Sequence, residues 1–412
     1  MTKVRSILSL FIILSSCIPV FSGNNEDAVS EFIKKNGIPS NSVSVKIVDL
    51  ADGETLAAHN ENTPLVPASI MKSVTTAALL QSAGPDWRYH TRIYIDGPND
   101  LGYLRGNVIV EGACDPTVNS EKEPFSEDII EEIRYALESQ RINRIEGRII
   151  IDENNFNGAS HPSSWAKEDL KKYYGTGSHA FNYGDNANGN NAVNQPGNNF
   201  INLLLTELNN NGIDIENKDI HEGRRIQIHD HQSAPLDEIM RSCMMRSDNL
   251  FAESMLRTYC KIEGGDGSTV EATKKLMKLW KESQLPLEGV EIFDGSGLSR
   301  SNRVTANFMS ELLKKMSDNP DYASFFPLAG QEGTLKKFLA GTPLDSYIAM
   351  KTGSMKGIQC YAGYKLDEDY MPTHVIVIIM NGITNNRDKA KQAAERMLLK
   401  IFEDKESVEI ED

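Results

Sequence analysis

The chain has 412 residues, which is enough for two or three domains and a large hydrophobic core. Its composition is that of an ordinary globular protein, with 40% hydrophobic, 25% charged and 7% aromatic residues. The 58 acidic residues outnumber the 43 basic ones, and the resulting net charge of −15 argues against nucleic acid or an anionic membrane as a partner.

Residues 1–22 predict a secretory signal peptide. Two basic residues precede an apolar run over residues 7–14, and small or compact residues stand at 20–22. Because this run is too short to span a membrane, we expect the mature chain to begin near Gly23. Cys17 follows small residues at the end of the run and offers a lipid anchor as an alternative. In both cases the protein is exported.

The segment that follows predicts a helix over residues 26–35 and then a β-hairpin. Residues 42–49 alternate apolar and polar side chains as a strand does, and Asp-Gly at 52–53 suits the turn to a second strand over 54–58. The hairpin leads the chain to Pro-Ala-Ser-Ile-Met-Lys-Ser at 67–73, which heads an apolar, Ala-rich run.

This heptapeptide places a hydroxyl, on Ser69, three residues before an amine, on Lys72. In a helix the two side chains share one face, about a turn apart. A serine hydroxyl becomes a good nucleophile when a base takes its proton, and a desolvated lysine with a lowered pKa can be that base. On these residues alone a helix cap with an exposed lysine is the better explanation, so the rest of the chain must supply the context.

From residue 89 onward short alternating runs predict a β-rich region. A segment dense in Asn and Gly, 182–199, predicts a surface loop because that composition is typical of turns. Around it the sequence predicts strands at 91–95, 107–111, 148–151 and 225–229, and helices at 126–140 and 200–210. We therefore expect residues 88–232 to form an inserted region of two small domains.

After Pro235 the pattern becomes helical, with predicted helices at 236–245, 249–261 and 269–283. Three strand-like segments near the end predict an antiparallel meander at the centre of a sheet: 348–351, 359–365 and 374–380. A helix over 387–402 and an acidic tail over 403–412 close the chain. The expectation is one α/β (α+β) domain built from residues 23–87 and 233–412, with the insertion between them.

Two further motifs give Ser69 and Lys72 their context. Ser-Asp-Asn at 247–249 lies at a break between two predicted helices, where side chains can project into a cleft. Lys-Thr-Gly-Ser at 351–354 lies on a predicted strand, and its glycine allows another backbone to approach closely. Ser-x-x-Lys, Ser-Asp-Asn and Lys-Thr-Gly, in this order, form the pattern of β-lactamases and penicillin-binding proteins.

The chain therefore resembles the serine penicillin-recognising enzymes. Within them it is most similar to the D-alanyl-D-alanine carboxypeptidase/endopeptidases of the penicillin-binding protein 4 family, which carry extra domains between the first two motifs. Further stretches carry the resemblance at 112–117, 165–175, 294–305 and 333–335. It implies a β-lactamase/transpeptidase-like fold, an antiparallel sheet flanked by helices. Ser354 departs from the threonine that the family often has, and residues 358–360 are also unusual.

The resemblance also implies the roles of the catalytic residues. Ser69 would attack the carbonyl of the penultimate D-alanine, with Lys72 as general base, kept neutral by partial burial beside Lys351. Ser247 would relay the proton to the leaving amine, and Asn249 would orient Lys72 and the substrate amide.

Substrate binding is implied in the same way. Lys351 and Thr352 would hold the terminal carboxylate, next to Gly353, and the backbone N–H groups of Ser69 and Ser354 would form the oxyanion hole. Asp169, in the inserted region, matches a position proposed to bind the amino group of diaminopimelate. A plain acidic residue at a helix start explains Asp169 almost as well.

The partners implied by the resemblance are periplasmic peptidoglycan peptides ending in D-Ala-D-Ala, β-lactams as covalent inhibitors, and a second copy in a homodimer. No cofactor or metal is implied, and the two histidines at 229 and 231 lack obvious further ligands. The four cysteines after residue 23 are expected to be small buried side chains, with a Cys243–Cys260 disulfide as the alternative.

Two other functions remain as alternatives. A β-lactamase is disfavoured by the long insertion and by the lack of an identifiable deacylating glutamate between the first two motifs. A catalytically silent peptidoglycan-binding protein is disfavoured because all three motifs are intact. The balance between carboxypeptidase and endopeptidase activity stays open.

Overall fold

The computed structural model describes residues 23–122, 127–221, 223–319, 321–384 and 387–406. The predicted signal peptide, with Cys17, lies outside the described residues, as does the end of the predicted acidic tail. No helix in the described part of the chain is both long and apolar enough to cross a membrane.

The helices follow the predicted order with small shifts in their ends. They are α1 (Gly23–Lys35), α2 (Met71–Ala83), α3 (Ile129–Ser139), α4 (Pro196–Asn210), α5 (Leu236–Arg246), α6 (Asn249–Ile262), α7 (Thr269–Glu282), α8 (Ala306–Met316) and α9 (Arg387–Glu406). The sequence analysis did not predict α8, although Thr305 caps it by accepting a hydrogen bond from the N–H of Phe308.

The longer strands also lie where alternation predicted them, and short two-residue strands join them. The strands are β1 (Val43–Asp49), β2 (Thr55–His59), β3 (His90–Ile95), β4 (Asn99–Asp100), β5 (Tyr103–Leu104), β6 (Val108–Glu111), β7 (Arg144–Ile145), β8 (Ile149–Asp152), β9 (Ala187–Asn188), β10 (Asn191–Ala192), β11 (Asp214–Ile215), β12 (Ile226–Gln232), β13 (Ile348–Met355), β14 (Ile358–Leu366) and β15 (Pro372–Asn381).

One antiparallel sheet of five strands, in the order β13-β14-β15-β1-β2, joins the two ends of the chain. Strand β1 pairs with β15 in a continuous register from Val43↔Met380 to Asp49↔His374. The predicted meander is present, but β13 is an edge strand rather than a central one. Its other side faces the short 3-10 helix Ala68–Ile70, so this edge borders the candidate site.

The sheet is buried on both faces because helices cover both. Along β15, Val375, Val377 and Ile379 belong to one apolar core, which includes α2, α6 and α8. The residues between them face a second core that includes α1 and α9. Strand β15 therefore carries a continuous apolar run. The expected α+β fold, an antiparallel sheet flanked by helices, is confirmed.

The inserted region contains two four-stranded sheets, β12-β3-β6-β8 and β11-β7-β5-β4, and the hairpin β9–β10. Both four-stranded sheets share one apolar core with α3 and α4, to which Ile133 and Phe200 contribute. The limits of the insertion at residues 88 and 232, and its division into two small domains, stay predictions.

The Asn- and Gly-rich segment differs from its prediction as a surface loop. Asn182 and Asn186 are buried, and α4 begins at Pro196. The amide of Asn186 donates to the carbonyl of Gly177 and to Asn182 Oδ1, and its oxygen accepts from the N–H of Tyr183. Asparagine can be buried here because its amide finds both donors and acceptors.

Candidate active site

Ser69 lies in the 3-10 turn that precedes α2 and is partly exposed, whereas Lys72 on the first turn of the helix is fully buried. The residue before Ser69, Ala68, has φ 49°, and Ser247 at the end of α5 has φ 60°. Both are left-handed conformations that non-glycine residues seldom adopt, and such strain concentrates at functional sites.

The Lys72 amine has three partners. Its Nζ lies 3.1 Å from Ser69 Oγ, 2.6 Å from Asn249 Oδ1 and 2.8 Å from the carbonyl oxygen of Ser296. Two of these partners are carbonyl oxygens that only accept, and the third is a hydroxyl that can donate. A neutral amine fits this arrangement: it donates to the two carbonyls, and its lone pair accepts the Ser69 proton.

The surroundings of Lys72 favour that neutral form. Burial lowers its pKa, while nearby acidic groups such as Asp248, Asp294 and Glu253 oppose the shift. The sequence predicted partial burial of Lys72, but its burial is complete. Burial, and then the proximity of the Lys72 amine, lower the pKa of Lys351 well below its usual range.

A second group of polar contacts lies along β13. Lys351 Nζ donates to Ser247 Oγ at 2.8 Å and to the carbonyl of Thr352 at 2.8 Å. Thr352 donates through Oγ1 to Thr334 Oγ1 at 2.7 Å. The Ser-Asp-Asn and Lys-Thr-Gly motifs therefore meet through Lys351 and Ser247. Thr334, in the turn at 333–335 that precedes β13, contacts Thr352.

Two glycines allow the close packing around Ser69. A Cβ atom at Gly353 would lie 2.6 Å from the carbonyl oxygen of Pro67, and one at Gly297 would lie 1.9 Å from that of Ala68. A side chain at Gly353 would push the turn that carries Ser69 away from β13. One at Gly297 would push it away from the turn at residues 294–299.

The turn at residues 294–299 holds Lys72 from behind and rests on two buried carboxyl groups. Glu253 Oε1 accepts from the N–H groups of Gly295 and Ser296 at 3.0 and 2.8 Å. Asp294 accepts from the N–H of Gly297 at 2.9 Å. Burial, and then the neighbouring Asp294, raise the pKa of Glu253 to about 8, so this carboxyl group is mainly protonated at neutral pH.

Several polar contacts join the inserted region to these residues. Asn249 Nδ2 donates to the carbonyl of Tyr174 at 2.8 Å. Lys122 Nζ lies 2.6 Å from Asp248 Oδ2, and Trp165 Nε1 donates to Asp294 Oδ2 at 2.8 Å. The Ser-Asp-Asn motif and the turn at 294–299 are therefore held in part by residues of the inserted region.

Asp169 lies apart from these contacts, where its Oδ1 accepts from the hydroxyl of Tyr174 at 2.9 Å. It lines a cleft of about 1010 Å³ together with Glu168 and three basic residues, Arg300, Lys356 and Arg387. The cleft thus offers groups of both charges, and Lys356 lies just beyond the Lys-Thr-Gly-Ser segment.

The structure brings Ser69, Lys72 and Asn249 into one cluster and Ser247, Lys351 and Thr352 into a second. Sequence reasoning assigned no role to Ser296, Thr334 or the carbonyl of Tyr174. The Gly-Ser-Gly run at 295–297 is the sequence signal that could have indicated a tight turn there and so pointed to the Ser296 carbonyl.

The residues weighed as metal ligands have other partners. His229 and His231 both contact Glu132 Oε2, at 3.0 and 2.7 Å. Elsewhere in the described chain, ligand atoms of Cys260, Asp266 and Glu271 lie within 4.8 Å of one another. Both carboxylates of that group accept backbone N–H groups beside α7. All four described cysteines are free, so the Cys243–Cys260 disulfide is not formed.

Comparison with known proteins gives a family match over residues 25–188 and 184–401, to the family described as D-Ala-D-Ala carboxypeptidase 3 (S13). The D-alanyl-D-alanine carboxypeptidase DacB of Haemophilus influenzae is 23% identical over 88% of this chain and 90% of its own. The D-alanyl-D-alanine carboxypeptidase of Actinomadura sp. (strain R39) is also 23% identical, over 78% and 74%.

Solved structures agree in fold. Penicillin binding protein 4 (dacB) from Haemophilus influenzae matches with a TM-score of 0.77 at 20% identity, covering 92% of this chain and 99% of that one. Bd3459, a predatory peptidoglycan endopeptidase from Bdellovibrio bacteriovorus, matches with a TM-score of 0.56 at 14% identity, covering 88% and 92%.

Proposed function

The chain belongs to the D-Ala-D-Ala carboxypeptidase 3 (S13) family, and from that premise we propose that it is a serine carboxypeptidase that removes the terminal D-alanine of peptidoglycan stem peptides. The observation that carries this proposal is the buried Lys72 amine, placed between Ser69 Oγ and two carbonyl acceptors. That geometry supplies a base for the hydroxyl without a histidine.

In the first step Ser69 Oγ attacks the carbonyl carbon of the penultimate D-alanine while its proton passes to Lys72 Nζ. The oxygen of that carbonyl gains negative charge and is held by the backbone N–H groups of Ser69 and Ser354. The peptide bond then breaks, and Ser247 relays the proton to the leaving amine. Water hydrolyses the acyl-enzyme with Lys72 again as base, which frees the shortened peptide.

Lys351 and Thr352 bind the terminal carboxylate in this mechanism. Burial lowers the pKa of Lys351 in the free protein, and an incoming carboxylate favours its charged form. Because Lys351 Nζ already contacts Ser247 Oγ, carboxylate binding and proton relay are coupled at one point. Asn249 fixes the Lys72 amine and orients the substrate amide.

The cleft beside Asp169 suits the diaminopimelate residue of the stem peptide. Its free amine would meet Asp169 and Glu168, and its carboxylate would meet Arg300, Lys356 or Arg387, which line the same cleft. Recognition of diaminopimelate would also suit cleavage of D-Ala to diaminopimelate cross-links, an endopeptidase activity.

β-Lactams would acylate Ser69 because they mimic the D-Ala-D-Ala terminus. This proposal is tested by incubating a chain that begins at Gly23 with a fluorescent penicillin and reading the label and the mass shift after denaturation. We expect a stable adduct that is lost in Ser69→Ala and kept in Ser82→Ala. Ser82, on the same helix, donates to Glu263 instead of contacting the site.

Three outcomes separate the candidate functions. Release of D-alanine from a pentapeptide by the wild type, but not by Ser69→Ala, supports the carboxypeptidase. Rapid turnover of nitrocefin would favour a β-lactamase. Absence of both adduct and turnover in the folded wild type would overturn the acyl-enzyme mechanism and leave a peptidoglycan-binding protein.

We further propose that the protein works in the periplasm after removal of residues 1–22, with a lipid anchor at Cys17 as the alternative form. Mass spectrometry of protein made in cells distinguishes an amino terminus near Gly23 from a lipidated Cys17. The homodimer stays a prediction, which sedimentation of the mature protein tests.

A further inference from the structure

A cavity in the inserted region lies outside the site described above. It has a volume of about 610 Å³ and opens between two loops and helix α4. We call it the Tyr173 pocket, and its main lining residues are Asn119, Tyr173, Tyr183, Asp185, Asn199 and Leu203.

The Tyr173 pocket is a direct neighbour of the catalytic motifs. Lys122, in its wall, pairs with Asp248 at 2.6 Å and with Asp185 at 3.5 Å. Tyr173 precedes Tyr174, whose carbonyl accepts from the catalytic Asn249. The pocket therefore adjoins the Ser-Asp-Asn motif through Lys122 and through the Tyr173–Tyr174 segment.

The pocket lining mixes aromatic, amide and carboxylate groups. Tyr173 is 49% exposed and Leu203 is 45% exposed, so both offer apolar surface to a ligand. Asn119 and Asn199 each provide a donor and an acceptor, and Asp185 provides acceptors. A pyranose ring with hydroxyl and acetamido substituents needs both kinds of contact: C–H groups pack on an aromatic face, and polar substituents pair with amides.

One wall of the pocket, the turn at 184–186, is held by hydrogen bonds within the protein. Gly184, Asp185 and Asn186 all have positive φ, at 59°, 58° and 49°. The buried side chain of Asn186 holds this turn through hydrogen bonds to Gly177, Asn182 and Tyr183. A side chain at Gly184 would meet no atom within 4 Å, so the turn borders open space rather than packing. A rigid, open wall of this kind suits a binding site.

We propose that the Tyr173 pocket binds an N-acetylated sugar of the glycan strand to which the stem peptide is attached. This inference rests on the proposed function, because it requires that the substrate be a peptidoglycan peptide. The peptide end then occupies the cleft at Ser69, while the sugar end contacts Tyr173 and α4. The inserted region thereby favours glycan-linked peptides over free ones.

The test compares D-alanine release from a disaccharide-pentapeptide and from the free pentapeptide. For the wild type we expect a KM about tenfold lower with the disaccharide attached. The double variant Asn199→Ala with Leu203→Ala changes two exposed positions of α4, and we expect it to lose this preference. Hydrolysis of the free pentapeptide and acylation by penicillin should stay at wild-type rates.

Tyr173→Ala is the second variant, and we expect it also to lose the preference. Tyr370→Ala is its matched control, because Tyr370 is 56% exposed and follows β14, outside the pocket lining. A separate measurement titrates Ser69→Ala with the peptide-free GlcNAc-MurNAc disaccharide by NMR. Shifts in the residues of α4 are expected there and should vanish in the α4 double variant.

Several results would overturn the inference. They are equal KM values for the two substrates in the wild type, equal losses on both substrates in the pocket variants, or no shifts with the disaccharide. If the NMR signals of α4 shift on addition of a free tetrapeptide but not on addition of the disaccharide, the pocket binds a peptide strand instead. Failure of the proposed function looks different, because neither substrate would then release D-alanine and no penicillin adduct would form.

Discussion

Glu253 carries a buried carboxyl group beneath the turn that contacts Lys72. One of its oxygens accepts from two N–H groups, and the other, Oε2, is buried without a partner. Burial and Asp294 raise its pKa from 4.5 to about 8. Between those two pH values the folded protein holds a proton that the unfolded chain releases. The free energy of unfolding therefore falls as the pH rises through this interval.

Replacing Glu253 by glutamine removes this titration and keeps the acceptor oxygen. We expect the melting temperature of the wild type minus that of Glu253→Gln to decrease steadily from pH 5 to pH 8. Circular dichroism measures both melting temperatures. Glu288→Gln, at an exposed position, serves as the control and should parallel the wild type. Parallel curves for Glu253→Gln and wild type would mean that Glu253 is ionised in the folded protein.

At this scale the sequence predicted side chains better than backbone groups. The motif residues Ser69, Lys72 and Asn249 were expected to act together, and Lys72 Nζ lies within hydrogen-bonding distance of both other side chains. The backbone carbonyls of Ser296 and Tyr174, which accept from Lys72 and Asn249, could not be predicted. Every residue has a backbone carbonyl, and only the folded structure determines its direction.

Trp165, in the inserted region, makes one of the polar contacts between that region and the turn that contacts Lys72. Its Nε1 donates to Asp294, which also accepts from the backbone of the turn that holds Lys72. Trp165→Phe removes this donor and leaves a buried acceptor with one partner fewer. We expect the free energy of unfolding to fall by about 1–3 kcal/mol and acylation by penicillin to slow.

Trp280→Phe is the matched control, because Trp280 is buried as well but its Nε1 has no hydrogen-bond partner. Both changes shrink a buried aromatic side chain, and only Trp165→Phe breaks a contact with the site. Chemical denaturation and the rate of adduct formation measure the two effects. Equal acylation rates in the two variants would show that the Trp165 contact does not position the turn.

Most elements could be predicted because their periodicity is local, as in α6, α7 and β15. Two expectations failed for identifiable reasons. The composition of the Asn-rich segment indicated a surface loop, yet burial of Asn186 depends on partners at Gly177 and Asn182 that no local pattern reveals. The edge position of β13 depends on which strand pairs with β15, and that strand is β1.

At the scale of the molecule, the four cysteines that the structure describes are buried and unbonded, although residues 1–22 predict export to an oxidising compartment. Burial raises the pKa of each thiol, to about 12 for Cys243 and Cys360, so little reactive thiolate forms. For a chain that begins at Gly23 we expect slow reaction with a thiol reagent in the native state and four reactive thiols after unfolding. The melting temperature should not depend on reductant.

Counting thiols with and without reductant in denaturant checks this expectation. Two thiols instead of four in the absence of reductant would reveal a disulfide that the structure lacks. The sequence left this choice open, because spacing along the chain does not determine whether two sulfur atoms lie within bonding distance.

The pairing of β1 with β15 also has a consequence for biosynthesis. Val43 leaves the ribosome early, whereas its partner Met380 is among the last residues made. At ordinary rates of translation the interval is on the order of tens of seconds. Until β15 is available, the segment carrying Ser69 has no completed sheet to pack on, whereas the residues of the inserted region share an apolar core of their own. The five-stranded sheet beside Ser69 is therefore completed only after the whole inserted region has been synthesised.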